Sequence, residues 1–390
     1  MSKKIKIGIV LNDLPGYSET FFHSKINGLI DNGFKVSLFV SSTKNPNLID
    51  KKVPIYSPIK NYNIFFSFFI LIGLFLFRPF VSIKFLYLEK LSNRTIIVAL
   101  KNLIINYYII GKSLDWIHFG YSTCALGKEN LARSMCAKSA VSLRGYDIGI
   151  YPYINKGCYD LLWERIDKVH TISDDLYNKA IKFGLNPKIP FQKITPAINT
   201  DLFNNESLQQ IHNPIRILTV GRLNWKKGYE YALKALSLLN KKQIQFEYRI
   251  IGEGDYREAI VYAIHQFGLE GHIKILGKLS HSQVKEQMKW ADIYIQPSIQ
   301  EGFCNSVLEA QAMGLLAIVT DAEGLSENVI NEVTGWVVQK RSGKEIFDIL
   351  IHIILDNEDY RNNIRTNAVK NVKENYKLEN QIKKIVKFYN

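Results

Sequence analysis

Cysteine is scarce in this chain, with four among 390 residues (Cys124, Cys136, Cys158 and Cys304). They form no C-x-x-C pair and no disulfide-like spacing, which excludes a disulfide framework and predicts reduced thiols in a cytosolic protein. Metal-ligand patterns are missing too. There is no His/Cys cluster with metal spacing and no D-x-D, so any chemistry here is expected to be metal-independent. The opening stretch, Met1 to Leu11, has lysines followed by too short an apolar run for a signal peptide, and reads instead as the first strand of a parallel sheet. Acidic residues are outnumbered, 36 against 50 Lys and Arg, for a formal net charge of +14. That excess favours acidic partners: nucleic acid, anionic lipid or phosphorylated substrates. Nucleic acid is set aside, because the sequence holds no recognition motif for it and no basic tract with interleaved aromatics.

What is present is globular: 47% hydrophobic and 22% charged residues, in a chain long enough for two domains that each bury a core. In the first half, Ile5–Leu11, Lys35–Val40, Trp116–Phe119, Ala140–Leu143 and Val169–Ile172 read as strands. Thr20–Asp31, Leu126–Met135 and Asp174–Phe183 read as helices. Near-continuous apolar strands separated by helices imply a parallel sheet covered on both faces. A polar stretch, 204–214, follows as an interdomain linker, and the pattern restarts at Ile215. Strands are then expected at Arg216–Val220, Phe246–Ile251, Ile273–Leu276, Ile293–Gln296 and Leu316–Thr320, and a final amphipathic helix at Tyr376–Tyr389. The resulting division is 1–203, 204–214, 215–375 and 376–390. Two doubly wound domains in tandem would face a shared cleft with the carboxyl ends of their strands.

Ile64–Phe77 is apolar on every face. As a helix it would be about 21 Å long, short of the ~30 Å hydrocarbon core, so it is not expected to span a bilayer. A second apolar run covers Thr95–Ile110, broken only by Lys101, Asn102 and Asn106. The two runs fit either buried helices of the first domain or a surface that dips into a membrane beside basic residues.

The most informative segment is Glu301–Gly314, E-G-F-C-N-S-V-L-E-A-Q-A-M-G. Two carboxylates, Glu301 and Glu309, stand eight residues apart across a strand-to-helix junction, with Asn305 or Ser306 available to cap the helix. Free N–H groups at such a junction make an anion site. With G-F after the first glutamate and A-x-A-x-G around the second helical turn, the segment resembles the signature of retaining glycosyltransferases of family 4. The alternative is a solvated pair of glutamates bound to nothing.

The resemblance implies a GT-B fold: an α/β architecture of two Rossmann-like domains with a C-terminal helix crossing back onto the first. It also implies roles for particular residues. Gly221-Arg222 and Lys227 match the pair that holds a donor diphosphate. Gly254, in the loop after Ile251, and Lys278-Leu279, in L-G-K-L, match loops beside the nucleotide, although either is also consistent with a plain strand-ending turn. Glu301 would bind donor-sugar hydroxyls, the N–H groups of Gly302, Phe303, Cys304, Asn305 and Ser306 would meet sugar and phosphate, and Glu309 would accept the ribose hydroxyls. Glu327 matches a further acidic position, or caps the helix behind it.

On the acceptor side, Pro15–Phe21 resembles the S-E-T-F loop of a polysaccharide-assembling branch of the family, with Gly16 and Ser18 as phosphate or acceptor contacts. His118 matches its H-F element. Arg144, in R-G-Y-D, stands where many members carry histidine, and Asp147 is a candidate near the acceptor hydroxyl. Arginine cannot share a proton near neutral pH, so the histidine's contact is not carried over.

The function this implies is retaining transfer from a nucleoside diphosphate-sugar to a glycan acceptor, expected to be lipid-linked, in bacterial surface polysaccharide (lipopolysaccharide or capsule) assembly. Glu301, Arg222, Lys227 and Asp147 are the candidate catalytic residues, with no covalent intermediate and no cofactor beyond the donor. The expected location is cytoplasmic or peripheral on the inner face of the plasma membrane. A catalytically inactive glycan- or partner-binding subunit and a nucleotide-sugar epimerase are the alternatives.

Overall fold

The structure is a computed structural model and describes residues 4–15, 20–42, 53–59, 64–205 and 210–390. Contacts divide the chain into two units: Met1–Ile194 with Ile382–Asn390, and Thr195–Gln381. Of the expected linker, the described residues 204–205 and 210–214 group with the second unit.

The first unit holds strands β1 (Lys6–Asp13), β2 (Lys35–Ser42), β3 (Ile55–Tyr56), β4 (Trp116–Phe119), β5 (Lys138–Leu143), β6 (Lys168–Thr171) and β7 (Phe191–Lys193). Its helices are α1 (Thr20–Asp31), α2 (Ile64–Phe77), α3 (Pro79–Leu91), α4 (Ile96–Ile105), α5 (Leu131–Ser134), α6 (Gly145–Gly149), α7 (Tyr151–Ile154), α8 (Asp160–Arg165) and α9 (Asp174–Lys182). The sheet is parallel throughout, in the order β3-β2-β1-β4-β5-β6-β7. Ile7, Ile9, Leu38, Val40 and Ala140 carry the core against Phe22, Ile26 and Leu29 of α1. The helix expected over Leu126–Met135 shrinks to α5, because Gly127 adopts φ +74 and breaks the run.

The second unit holds β8 (Ile215–Val220), β9 (Phe246–Ile251), β10 (Ile273–Gly277), β11 (Ile293–Gln296), β12 (Leu316–Thr320) and β13 (Trp336–Val338). They form a parallel sheet in the order β10-β9-β8-β11-β12-β13. Its helices are α10 (Tyr229–Lys241), α11 (Arg257–Gln266), α12 (His281–Trp290), α13 (Asn305–Ala312), α14 (Gly343–Leu355) and α15 (Glu358–Asn375). Ile217, Ile250, Ile295 and Ile318 form the sheet's contribution to a continuous core with Leu233 and Leu236 of α10 and Ile346 and Leu350 of α14.

The last helix, α16 (Leu378–Tyr389), starts in the second unit and ends in the first. The crossing has a packing reason: Ile385, Phe388 and Tyr389 are core residues of the first unit.

The buried-helix reading does not hold for the first apolar run, where between Phe65 and Phe77 only Leu74 is buried. The second run is divided: Ile96, Ile97 and Val98 of α4 are exposed, whereas Ala99, Leu103, Ile109 and Ile110 are buried. Among the described residues no single helix is long and apolar enough to cross a membrane.

Candidate active site

Strand order reverses between β8 and β11, so the loops leaving their carboxyl ends part and open a crevice. Gly221 and Arg222 follow β8, and 297–304 follows β11 and leads into α13. Two glycines let the neighbouring loops close on this point. A Cβ on Gly252 (φ +146) would stand 1.9 Å from the Gly221 carbonyl oxygen, and one on Gly254 (φ +153) 2.2 Å from that of Leu223. Backbone bonds bind the same loops together. Gly221 N–H donates to the Ile251 carbonyl (2.9 Å), Leu223 N–H to that of Glu253 (2.9 Å), and Gly252 N–H to that of Gly277 (2.8 Å).

Lys227 ends a short 3-10 turn, Trp225–Lys227, before Gly228 (φ +60) opens α10. Its ammonium donates to Glu301 Oε2, and both side chains are largely shielded from solvent. Burial by itself would lower the Lys227 pKa, but the Glu301 carboxylate outweighs it and holds the ammonium above its ordinary value. Ile299 N–H donates to the Lys226 carbonyl (2.6 Å), tying the lysine turn to the glutamate loop. Arg222 is exposed at the same strand end, close enough to oppose Lys227 protonation slightly.

Of the eight residues of α13, only Asn305, Ser306 and Glu309 are partly accessible; the rest are buried. Positions i, i+1 and i+4 share one helix face, so the two polar residues of the first turn and the glutamate of the second form one strip. Neither Asn305 nor Ser306 caps the helix, contrary to expectation. Cys304 is the N-cap residue, with no side-chain cap bond. The Ser306 hydroxyl instead donates to the Val220 carbonyl (3.1 Å) and lies 2.8 Å from the Tyr294 hydroxyl. Burial pushes the Cys304 thiol up and raises Glu309 to about 7.

Lys278 is exposed and Leu279 partly so just beyond β10, while Gly302 and Phe303 are buried. Phe303 packs its ring 5.9 Å from Tyr376. Glu327 is half-buried in a 3-10 turn, Glu323–Asn328. Sequence reading missed Asn328, which clamps the α13 entry: Cys304 N–H donates to its Oδ1 (3.1 Å) and its Nδ2 donates to the Cys304 carbonyl (2.9 Å). No pattern in the sequence marks it.

In the first unit, Gly16 and Ser18 lie outside the described residues. The acceptor-side residues that are described face inward. His118 is wholly buried, with Nδ1 2.8 Å from the Tyr389 hydroxyl and Nε2 3.0 Å from Lys25 Nζ and 2.8 Å from Ser142 Oγ. Burial first, then the Lys25 charge, lowers its pKa well below the ordinary value, and burial likewise lowers that of Lys25. Asp147 is buried in the first turn of α6, accepting from the N–H groups of Arg144 (3.0 Å) and Ser122 (2.9 Å). Arg144 lays its guanidinium 4.2 Å over the Phe21 ring and 4.4 Å over Phe22, with Nε donating to the Gly120 carbonyl (3.3 Å). Its charge is therefore held on aromatic faces. Lys25 carried a signal that reading by motif overlooked: it falls on the same helical face as the buried Phe22, Ile26 and Leu29.

Residues 203–371 match the family described as glycosyl transferases group 1. The second unit belongs to that family. Over 248 residues the chain is 29% identical to the amylovoran biosynthesis glycosyltransferase AmsK of Erwinia amylovora, covering 61% of this chain and 60% of that one. Over 185 residues it is 29% identical to the N,N'-diacetylbacillosaminyl-diphospho-undecaprenol alpha-1,3-N-acetylgalactosaminyltransferase of Campylobacter jejuni, covering 47% and 46%. The chain spans less than two thirds of the length of the first relatives it matches. In three dimensions it superposes on Anabaena Alr3699/HepE in complex with UDP with a TM-score of 0.74 at 15% identity, covering 98% of both chains. The fold is thus GT-B, with the group 1 unit as its second Rossmann-like domain.

Proposed function

We propose that this chain is a retaining, metal-independent glycosyltransferase. It moves a sugar from a nucleoside diphosphate donor to a lipid-linked glycan during bacterial surface polysaccharide assembly, at the inner face of the plasma membrane. The observation that carries the reading is the grouping of Arg222, Lys227, Glu301 and the α13 N-terminus around one strand-order reversal. A diphosphate leaving group gains charge as the sugar–oxygen bond breaks, and two cations beside a helix N-terminus stabilise that charge. Glu301 supplies acceptor oxygens for donor-sugar hydroxyls, and Glu309 supplies them for a ribose. A structural neighbour binds UDP, and one relative's name specifies a diphospho-undecaprenol acceptor, which supports both ends of the assignment.

The test is a thermal-shift panel of UDP, GDP, ADP and their sugars on wild type and Arg222→Ala. One diphosphate should raise Tm selectively, and the variant should lose the shift. If none of them shifts the wild type at concentrations far above ordinary affinities, the inactive-subunit alternative takes over.

Glu309 adds a pH signature. Only the ionised carboxylate can accept both ribose hydroxyls, and its pKa is raised to about 7. Nucleotide-sugar affinity should therefore be flat above about pH 8 and fall about tenfold per unit below pH 7. Without ligand the sign reverses: the folded state holds this proton more tightly than the unfolded chain, so Glu309 favours folding less as pH rises from 4.5 towards 7. Calorimetric titration of the nucleotide sugar against pH checks the first part, and a slope that persists in Glu309→Gln would remove the carboxylate from the account.

A further inference from the structure

We propose that α2, α3 and α4 dock this chain onto an anionic lipid bilayer, lying in the interface plane. Sugar transfer to a lipid-linked acceptor is what such docking would serve, and it rests on the reading above only for that purpose.

The argument begins with what faces outward. Phe65, Phe68, Phe69, Ile72, Phe75 and Leu76 of α2 are all exposed, and their spacing places them on one stripe opposite the buried Leu74. A solvent-facing stripe normally carries charge; α2 has none along its whole length. After a bend of 113° the pattern continues on α3, whose buried face is Ser82, Phe85 and Glu89. Its opposite face presents Phe80 (87% exposed), Ile83, Tyr87 and Leu91. Ile96, Ile97 and Val98 of α4 are exposed as well. Most of the exposed large apolar side chains among the described residues lie on these three helices. Contiguous patches of this kind mark a surface that is covered in use.

Charge selects the cover. Arg78 sits at the bend, Lys84 and Lys90 flank the α3 stripe on either side, and Lys101 lies on the exposed side of α4; all four are exposed. The only acidic residue from 64 to 114 is Glu89, and it is buried against Arg94 (2.9 Å). An apolar face bordered by cations alone matches acyl chains beneath anionic headgroups, with lysine stems reaching up to the phosphates. A second copy of the same face would set like charges against one another. No single described helix is long and apolar enough to cross, and the α2–α3 pair, which passes that test only when taken together, is bent by 113° at its break, a shape that suits helices lying in the interface.

Sedimentation of the full chain with vesicles of phosphatidylcholine alone, or mixed with phosphatidylglycerol, tests this. Wild type should bind the mixed vesicles far more tightly, and salt should weaken the binding. Lys84→Gln/Lys90→Gln should weaken it about 25-fold, at about fivefold per cation. Phe68→Glu/Phe69→Glu should abolish it on both vesicle types. Each variant should keep the wild-type Tm and its shift with nucleoside diphosphate, which separates lost docking from misfolding and from failure of the donor-site reading. Wild type that stays in the supernatant overturns the proposal, and so does binding that the phenylalanine variant leaves unchanged. A dimer that Phe68→Glu/Phe69→Glu converts to monomer, with no vesicle binding, would assign the face to a second copy.

Discussion

Glu301→Ala should cut sugar transfer by about 10²- to 10³-fold while nucleoside diphosphate binds as tightly as to wild type, or more tightly. The asymmetry follows from the ion pair. Glu301 engages the Lys227 ammonium, and the two are shielded together. A diphosphate must compete with that carboxylate for the lysine, so removing it frees a cation for the nucleotide. What is lost is the acceptor for donor-sugar hydroxyls, which matters only when a sugar is present. Turnover with the nucleotide sugar and calorimetry with the bare diphosphate separate the two effects. If affinity falls in step with rate, Glu301 acts only by positioning Lys227. Glu301→Gln, which keeps a hydroxyl acceptor, should recover part of the rate.

The second large effect concerns a backbone position. Gly252→Ala would push a methyl to 1.9 Å from the Gly221 carbonyl oxygen, at φ +146 where an L-residue is already strained. Neither atom is a movable side-chain end, so the β8 and β9 loops must separate. A loss of about 3–5 kcal/mol is expected, together with loss of nucleotide binding. Gly271→Ala is the control, since nothing lies within 4 Å of its Cβ position, and it should change stability by less than about 0.5 kcal/mol. Urea midpoints of the two variants check both values. Equal midpoints would mean that the β8 loop yields freely and that the close approach has no structural weight.

Much of this arrangement was legible from residues alone, for physical reasons that differ by segment. Strands such as Ile293–Gln296 are buried on both faces and so read as short apolar runs. The Glu301–Glu309 spacing survives because strand, loop and helix are contiguous in the chain. Edge strands β3, β7 and β13 escaped: with two or three residues each, they carry no periodicity to detect. Helix α2 was legible as a helix, but the residues left open whether it is buried or laid on a membrane, since an all-apolar helix gives no clue to which face is covered. The inward placement of His118 and Asp147 was equally hidden. It depends on Lys25, Ser122 and Tyr389, which are distant in sequence and come together only through the fold.

The crossing of α16 has a consequence for the order in which the protein can mature. Phe388 and Tyr389 line the first unit's core, and Tyr389 supplies the hydroxyl beside His118. A ribosome releases residues 1–194 well before these two. The unit made first therefore waits, with part of its interior uncovered, until all of Thr195–Gln381 has been synthesised. During that interval its apolar sheet face and the already exposed helix α2 are presented together, and this is when a nascent chain of this protein is most in need of a chaperone or a membrane to hold it.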